Sequence, residues 1–212
     1  MSRAAERDGS AFFAAHFAPL PLMTILRGFD TVRTVELSEL AWDIGVHLVE
    51  VPIQSAAALD ALSSAVDAGA ARGMPVGAGT VITVDHVRRA AEAGAAFTVA
   101  PGFDREVAEA SIDAGLPHLP GVATATEVQR ATAFGLGWLK MFPASDLGPG
   151  WLRSMHGPFP DARFVATGGM HAGNTRTYLD AGAAGVSLGS ALADPARLEA
   201  VRALAASLSP RA

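Results

Sequence analysis

The chain has 212 residues, of which 50% are hydrophobic and 17% are charged, and its net charge at pH 7 is −5. This length suits one domain, and the high hydrophobic content excludes a mainly disordered chain. The net negative charge argues against nucleic-acid binding, and the absence of an apolar run of ~18 residues argues against a membrane span.

The N-terminal segment and the cysteine count give an expectation about location. MSRAAERDGS is followed only by the short AFFAAHFAPLP, which does not resemble a signal peptide. The chain has no cysteine, so it has no disulfide or thiolate metal site, and we expect a cytoplasmic protein. The six histidines lack paired spacings such as H-x-H, so neither a metal nor another cofactor is predicted.

The elements predicted in chain order alternate between helices and strands. A helix is predicted near residues 2–17, and short apolar segments predict strands near 22–27, 47–52, 75–79, 97–100, 117–120, 138–142, 163–167 and 185–188. Helical patterns between most strands end in an acidic–apolar–glycine triplet, such as Asp43-Ile44-Gly45 or Asp67-Ala68-Gly69. We expect each of these glycines to end its helix with a positive φ.

This alternation predicts the fold class. Eight continuous apolar strands with helices between them predict an α/β fold, a single (β/α)8 barrel of parallel strands spanning residues 1–212. Residues 1–18 form a helical extension in this prediction. The alternative is an open doubly wound sheet. The GAGT segment argues against it, because it is not a G-x-G-x-x-G fingerprint that opens a helix.

The basic residues single out one side chain. The chain has fifteen arginines and one lysine, Lys140, in the segment WLKMFP. Strand alternation places Trp138, Lys140 and Phe142 on one face. An amine among aromatic residues is partly desolvated, which favours the free base that a Schiff base requires. Lys140 is therefore a candidate nucleophile, and the alternative is a structural ion pair.

Two more charged residues lie at predicted strand ends, where barrels carry their chemistry. Glu50 lies within the apolar strand HLVEVP, where a carboxylate is costly unless it is paired or used. It is a candidate acid and base, or the ion-pair partner of Lys140. Arg27 could bind a substrate carboxylate through two hydrogen bonds, or pair with a neighbouring loop.

Glycines follow the last two predicted strands. Gly168 and Gly169 come after one strand, and Gly189 and Ser190 come after the next. Phosphate sites of barrels are often built from these two loops, because glycine lets backbone amides approach an anion closely. Either segment alone could be an ordinary turn, whereas both together predict a phosphate site.

These motifs together resemble a known family. The order I-L-R-G, V-E-V-P, G-A-G-T-V, A-P-G-F, P-G-V-A-T, L-K-M-F-P-A, F-V-A-T-G-G and L-G-S-A is similar to that of the KDPG/KDPGal aldolases. These class I aldolases act on 2-keto-3-deoxy-6-phospho sugar acids. The resemblance extends from about Pro19 to about Ala193 and implies a homotrimer that acts on a small phosphorylated keto sugar acid.

The resemblance also implies roles for individual residues. Lys140 would form the Schiff base and Glu50 would transfer protons. Arg27 and Thr80 would hold the pyruvate end of the substrate, and Gly168, Gly169, Gly189 and Ser190 would bind its phosphate. The other residues expected to line the substrate are Gln54, Pro101, Phe142 and Thr167.

The resemblance favours one substrate epimer. Val51-Pro52-Ile53-Gln54-Ser55 is similar to the galactonate-type segment I-P-L-N-S, whereas Thr167 before the glycine pair is similar to the gluconate type. We expect cleavage of 2-dehydro-3-deoxy-6-phosphogalactonate to pyruvate and D-glyceraldehyde 3-phosphate. The alternative within the family is an aldolase for the gluconate epimer or for 4-hydroxy-2-oxoglutarate. The alternatives of other classes are a metal-dependent pyruvate aldolase, a phosphate-binding isomerase barrel and a non-catalytic ligand-binding barrel.

Overall fold

The strands form the predicted barrel. The structure, a computed structural model, describes residues 9–209, so the first part of the predicted extension lies outside the described residues. The strands are β1 (Leu22–Ile25), β2 (Leu48–Pro52), β3 (Val76–Gly79), β4 (Thr98–Val99), β5 (His118–Leu119), β6 (Gly121–Val122), β7 (Trp138–Met141), β8 (Arg163–Thr167) and β9 (Gly185–Leu188). All pairings between them are parallel.

The predicted fifth strand is divided into two short pieces. The strand order is β5-β4-β3-β2-β1-β9-β8-β7-β6, and only Pro120 separates β5 from β6. Proline has no backbone N–H and cannot donate to a neighbouring strand, which interrupts the pairing. Its carbonyl still accepts a hydrogen bond of 2.8 Å from the backbone nitrogen of Lys140. β5 and β6 therefore act as one strand that brings the two ends of the sheet together as a barrel.

The helices cover the outside of the barrel. They are α1 (Ser10–Phe17), α2 (Thr31–Asp43), α3 (Ala56–Arg72), α4 (Val84–Glu92), α5 (Arg105–Asp113), α6 (Ala125–Phe134), α7 (Ala144–Leu147), α8 (Pro149–His156), α9 (Ala172–Asp180) and α10 (Pro195–Leu208), with a 3-10 turn at Ser190–Ala193. Within residues 9–209, no helix has the length and apolar character to cross a bilayer.

The glycine rule for helix ends has one exception. Positive φ angles occur as predicted at Gly45, Gly94, Gly115, Gly135 and Gly182. The prediction that Gly69 ends its helix is wrong, because α3 continues to Arg72 and Gly73 takes the positive φ of 67°. A Cβ at Gly69 would lie 2.5 Å from the carbonyl oxygen of Met74 and 3.5 Å from the ring of Trp42. Gly69 therefore serves close packing inside the helix.

Two apolar clusters hold the fold together. One lies between the barrel and its helices, and the other fills the barrel interior, with Phe97 and Trp138 among its members. The rings of Phe17 and Trp138 stack at 5.3 Å with an angle of 6°, and Phe13 is fully buried against Phe97. The extra helix α1 therefore closes the N-terminal end of the barrel, and the opposite end stays available for a site.

Candidate functional site

Lys140 extends into the barrel from β7. Trp138 belongs to the interior cluster, whereas Leu139 and Met141 belong to the cluster under the helices, which confirms the predicted alternation. Lys140 is only 4% exposed. Its Nζ lies 5.1 Å from the centroid of the half-buried ring of Phe142, a distance typical of a cation–π contact. The only lysine of the chain is thus enclosed by the barrel.

Glu50 is buried in the same interior. It is 0% exposed, and neither of its carboxylate oxygens has a hydrogen-bond partner among residues 9–209. Burial raises the pKa of Glu50 above its ordinary value, while the positive charges of Lys140 and Arg27 act to lower it. Glu50 and Lys140 therefore interact through their charges without a direct hydrogen bond. A carboxyl group with a raised pKa is suited to accept and return a proton.

Two glycines of β3 make room for this carboxyl group. A Cβ at Gly79 would overlap with the carboxylate of Glu50, and a Cβ at Gly77 would overlap with the ring of Phe97. This role of Gly77 and Gly79 was not predicted, because the GAGT segment was weighed only as a possible dinucleotide fingerprint and as a family motif. The available signal was the presence of two glycines at alternate positions of one strand, which face the same side.

Arg27, Gln54 and Thr80 form a polar group at the mouth of the barrel. One terminal nitrogen of Arg27 donates to Oε1 of Gln54, and the other donates to Oγ1 of Thr80 over 3.2 Å. The guanidinium is exposed to solvent and held in one orientation. It lies beside the barrel opening, where it could bind an anionic group through its remaining N–H donors.

Thr80 has a strained backbone. Its φ of 58° is left-handed, which is rare for a β-branched residue and costs on the order of 1–3 kcal/mol. Nδ1 of His86 lies 3.3 Å from the carbonyl oxygen of Thr80. His86 was not predicted to be a site residue. Strain of this kind often occurs where a side chain must be aimed at a ligand.

The predicted glycine loops come together at the ends of β8 and β9. Thr167 pairs with Ser187, so the two glycine segments leave neighbouring strands at the same end of the barrel. Gly168 and Gly169 have positive φ angles of 94° and 72°. A Cβ at Gly169 would overlap with the side chain of Ser145, so only glycine fits there.

The remaining predicted residues also lie at this end. Thr167 is buried, and its hydroxyl donates to the carbonyl of Val165 over 3.3 Å. Pro101 follows β4 and is exposed. A Cβ on Gly121 would overlap with the carbonyl group of Pro101, so glycine is required at position 121. Ser190 begins the 3-10 turn, and its side chain lies outside the described residues.

The arrangement combines three chemical capacities at one end of the barrel. A buried amine can attack a carbonyl carbon, and a buried carboxyl group can transfer protons beside it. A fixed guanidinium and a glycine-rich loop pair lie at the rim, where each can bind an anionic group. A substrate with a ketone and two anionic ends would satisfy all three.

Comparison with known proteins assigns the family. A family model described as "KDPG and KHG aldolase" matches residues 15–204. The chain belongs to the KDPG and KHG aldolase family. It is therefore a class I aldolase by family, with the barrel that this family's solved structures share.

Relatives within the KDPG and KHG aldolase family carry different substrate names. The chain is 35% identical to a "2-dehydro-3-deoxy-phosphogluconate aldolase" of Treponema pallidum (strain Nichols), over 76% of this chain and 74% of that protein. It is 34% identical to a "2-dehydro-3-deoxy-6-phosphogalactonate aldolase" of Escherichia coli (strain K12), over 82% and 84% of the two chains.

A solved structure of the family supports the same fold. The structure described as a "4-hydroxy-2-oxoglutarate aldolase/2-deydro-3-deoxyphosphogluconate aldolase from TTHB1" superposes with a TM-score of 0.80 at 36% identity. It covers 91% of this chain and 94% of that chain. The barrel and the family therefore agree, while the names of the relatives divide between two epimeric substrates.

Proposed function

We propose that this protein is a Schiff-base aldolase that cleaves 2-dehydro-3-deoxy-6-phosphogalactonate to pyruvate and D-glyceraldehyde 3-phosphate. The observation that carries the proposal is the enclosure of the only lysine, Lys140, beside the buried carboxyl group of Glu50. Family membership and the galactonate-type segment around Gln54 support it further.

Lys140 begins the proposed reaction. Its neutral amine attacks the carbon-2 ketone of the substrate, and the resulting carbinolamine loses water to leave a cationic iminium. This cation can accept the electron pair of the bond between carbons 3 and 4. Burial of Nζ in the barrel supports this role, because the enclosed amine is kept away from competing water.

Glu50 moves the protons of the proposed reaction. As a carboxylate it takes the proton of the carbon-4 hydroxyl through a water molecule, the bond between carbons 3 and 4 breaks, and the aldehyde leaves. As a carboxylic acid it then returns a proton to carbon 3 of the enamine. Water hydrolyses the iminium, which releases pyruvate and restores the amine of Lys140. The raised pKa of Glu50 supports both directions of transfer.

The substrate is held at both ends in this proposal. Arg27 and Thr80 bind the carboxylate next to the ketone, and Gln54 keeps the guanidinium in place. The amides of the loops at Gly168–Gly169 and Gly189–Ser190 bind the phosphate. Pro101, Phe142 and Thr167 line the chain of carbon atoms between them. Binding at both ends fixes the reacting carbons, which supplies part of the rate enhancement.

The gluconate epimer is the second candidate substrate. Thr167 precedes the glycine pair, as in the gluconate type, and the relative from Treponema pallidum carries the gluconate name. The two substrates differ at one hydroxyl-bearing carbon, so one hydrogen bond could decide between them. The test is a side-by-side assay of pyruvate release from both epimers. A higher kcat/KM for the galactonate epimer supports the proposal, and a higher value for the gluconate epimer contradicts it.

We further propose that the protein assembles as the homotrimer that the family resemblance implies. Val32, Ile82 and Val84 are 70%, 53% and 49% exposed, although they are large and apolar. Val32 lies in the first turn of α2, Val84 begins α4, and Ile82 lies two residues before it, at the same end of the barrel as the candidate site. Exposed apolar side chains of this kind fit a contact with another copy. A mass of three chains by light scattering supports the proposal, and a monomer contradicts it.

A further inference from the structure

Ser187 on β9 is a buried hydroxyl that the proposed mechanism does not use. Its side chain is 1% exposed, and its Oγ has no hydrogen-bond partner among the described residues. A buried polar group without a partner lowers the stability of the folded protein by roughly 1–3 kcal/mol, so an apolar residue at this position would make the protein more stable. The position of the hydroxyl inside the barrel indicates what it could do.

The strand register relates Ser187 to Lys140. Lys140 pairs with Val165, and Val165 pairs with Gly185. If the strand pairings are extended from residue 50 of β2 through every neighbouring strand in turn, they return to the chain of β2 at residue 42. The barrel therefore has a shear of eight residues. With this shear, the residue that lies at the same height along the barrel axis, two strands further on, is two positions beyond the residue reached by following the pairings. Ser187, two positions beyond Gly185, is therefore level with Lys140.

The same rule relates Ser187 to Glu50 in the other direction. Ser187 pairs with Met23, and Met23 pairs with Leu48. Two positions beyond Leu48 on β2 is Glu50. The three polar residues thus belong to one interior layer, to which alternate strands of the barrel each contribute one side chain.

This layer has an unequal distribution of polar groups. Its fourth member is Val99, since Glu50 is level with Val99 on β4 by the same register. Lys140 and Glu50 extend into the interior from strands on opposite sides of the barrel, so Ser187 on β9 lies between those strands on one side and Val99 on β4 lies between them on the other. Ser187 is therefore the one neutral hydrogen-bonding side chain in the layer that holds both proposed reactive groups.

We propose that Ser187 is a positioning residue for Glu50, which it holds in orientation for proton transfer through a water molecule bound between the two side chains and Lys140. This inference rests on the proposed function. A buried water needs two to four polar partners, and the hydroxyl, the carboxyl group and the amine supply three. The hydroxyl can donate to the water or accept from it, so it can serve Glu50 in both protonation states.

The test compares Ser187→Ala and Ser187→Cys with the wild type. Alanine removes the hydroxyl, and cysteine keeps a side chain of similar shape with only a weak donor. Ser38→Ala is the matched control, because Ser38 is also a fully buried serine but lies in α2, where its hydroxyl donates to the Thr34 carbonyl over 2.7 Å. Cleavage rates are measured from pH 4 to pH 9, together with borohydride trapping of pyruvate.

We expect kcat to fall about tenfold in both Ser187 variants, as for the loss of one hydrogen bond to the water that orients Glu50. The acid limb of the profile moves to higher pH, because the carboxylate of Glu50 has lost a favourable contact. Ser38→Ala keeps the wild-type rate and profile. A Ser187→Ala enzyme with the wild-type rate and profile overturns the proposal, as does a Ser187→Cys enzyme that alone retains full rate, since packing would then explain the loss. A wild-type protein that neither cleaves nor is trapped shows instead that the proposed function has failed.

Discussion

The carboxyl group of Glu50 lies directly against the backbone of Gly79, so closely that a methyl group on Gly79 would overlap with it. The two residues stand on neighbouring strands, where Pro52 pairs with Gly79 and Glu50 pairs with Gly77. The absence of a side chain at Gly79 is what allows Glu50 to fill the interior at this height. This contact links the composition of one strand to the chemistry of the next.

Gly79→Ala should displace the carboxyl group of Glu50 and reduce kcat by about a hundredfold, the lower range of what a positioned acid–base group contributes. Circular dichroism should show a folded protein. Gly157→Ala is the matched control and should keep the wild-type rate, because a Cβ there meets only the Ser154 carbonyl at 3.6 Å. A wild-type kcat in Gly79→Ala would show that the position of Glu50 does not matter.

Glu50→Gln should lose most of the activity and gain stability at neutral pH. Burial raises the pKa of Glu50, so the folded protein holds this proton to higher pH than the unfolded chain. The wild type therefore loses stability as the pH rises above the ordinary glutamate value of 4.5, and the variant lacks this loss. Urea unfolding at pH 5 and pH 8 measures the difference. A variant that is less stable than the wild type at pH 8 would contradict the prediction.

His118 should make the fold sensitive to acid. Burial lowers the pKa of His118 from 6.5 to about 4, while its Nδ1 lies 2.7 Å from the hydroxyl of Thr98. The unfolded chain binds a proton between pH 6.5 and 4 and the folded protein does not, so stability falls by about 3 kcal/mol over this range. His118→Gln should lose this part of the pH dependence in urea unfolding. Parallel curves for the two proteins would refute the assignment.

Arg27→Ala should raise KM for the substrate by about ten- to a hundredfold, the value of hydrogen bonds to a charged group. Arg33→Ala is the matched control and should leave KM unchanged, because Arg33 is exposed and its guanidinium pairs with Glu36 over 2.8 Å. Steady-state kinetics with either epimer measures both values. An unchanged KM in Arg27→Ala would remove this residue from the binding of the carboxylate.

The sequence was sufficient to predict the barrel because its signals are local. Apolar alternation around Lys140 depends on neighbouring residues of one strand, and the glycines at positions 45, 94 and 115 end helices through their own backbone conformation. The prediction that Gly69 ends its helix failed, because the role of Gly69 depends on close packing against Trp42 and Met74, which lie outside its helix.

Contacts within the site could not be predicted in the same way. The overlap between Gly79 and Glu50, and the common height of Ser187 and Lys140, depend on the register between strands that are distant in sequence. A shift of one residue in that register would turn each side chain to the opposite face. The sequence supplied the residue types, and the pairing of the strands decided which of them share the interior.

The most direct test of the account is borohydride reduction in the presence of pyruvate, followed by mass spectrometry of peptides. Because Lys140 is the only lysine, we predict one three-carbon adduct per chain, on the peptide that contains Lys140, and no adduct in Lys140→Arg. Cleavage activity should disappear in the same variant. An adduct elsewhere, or full activity in Lys140→Arg, would contradict the central claim.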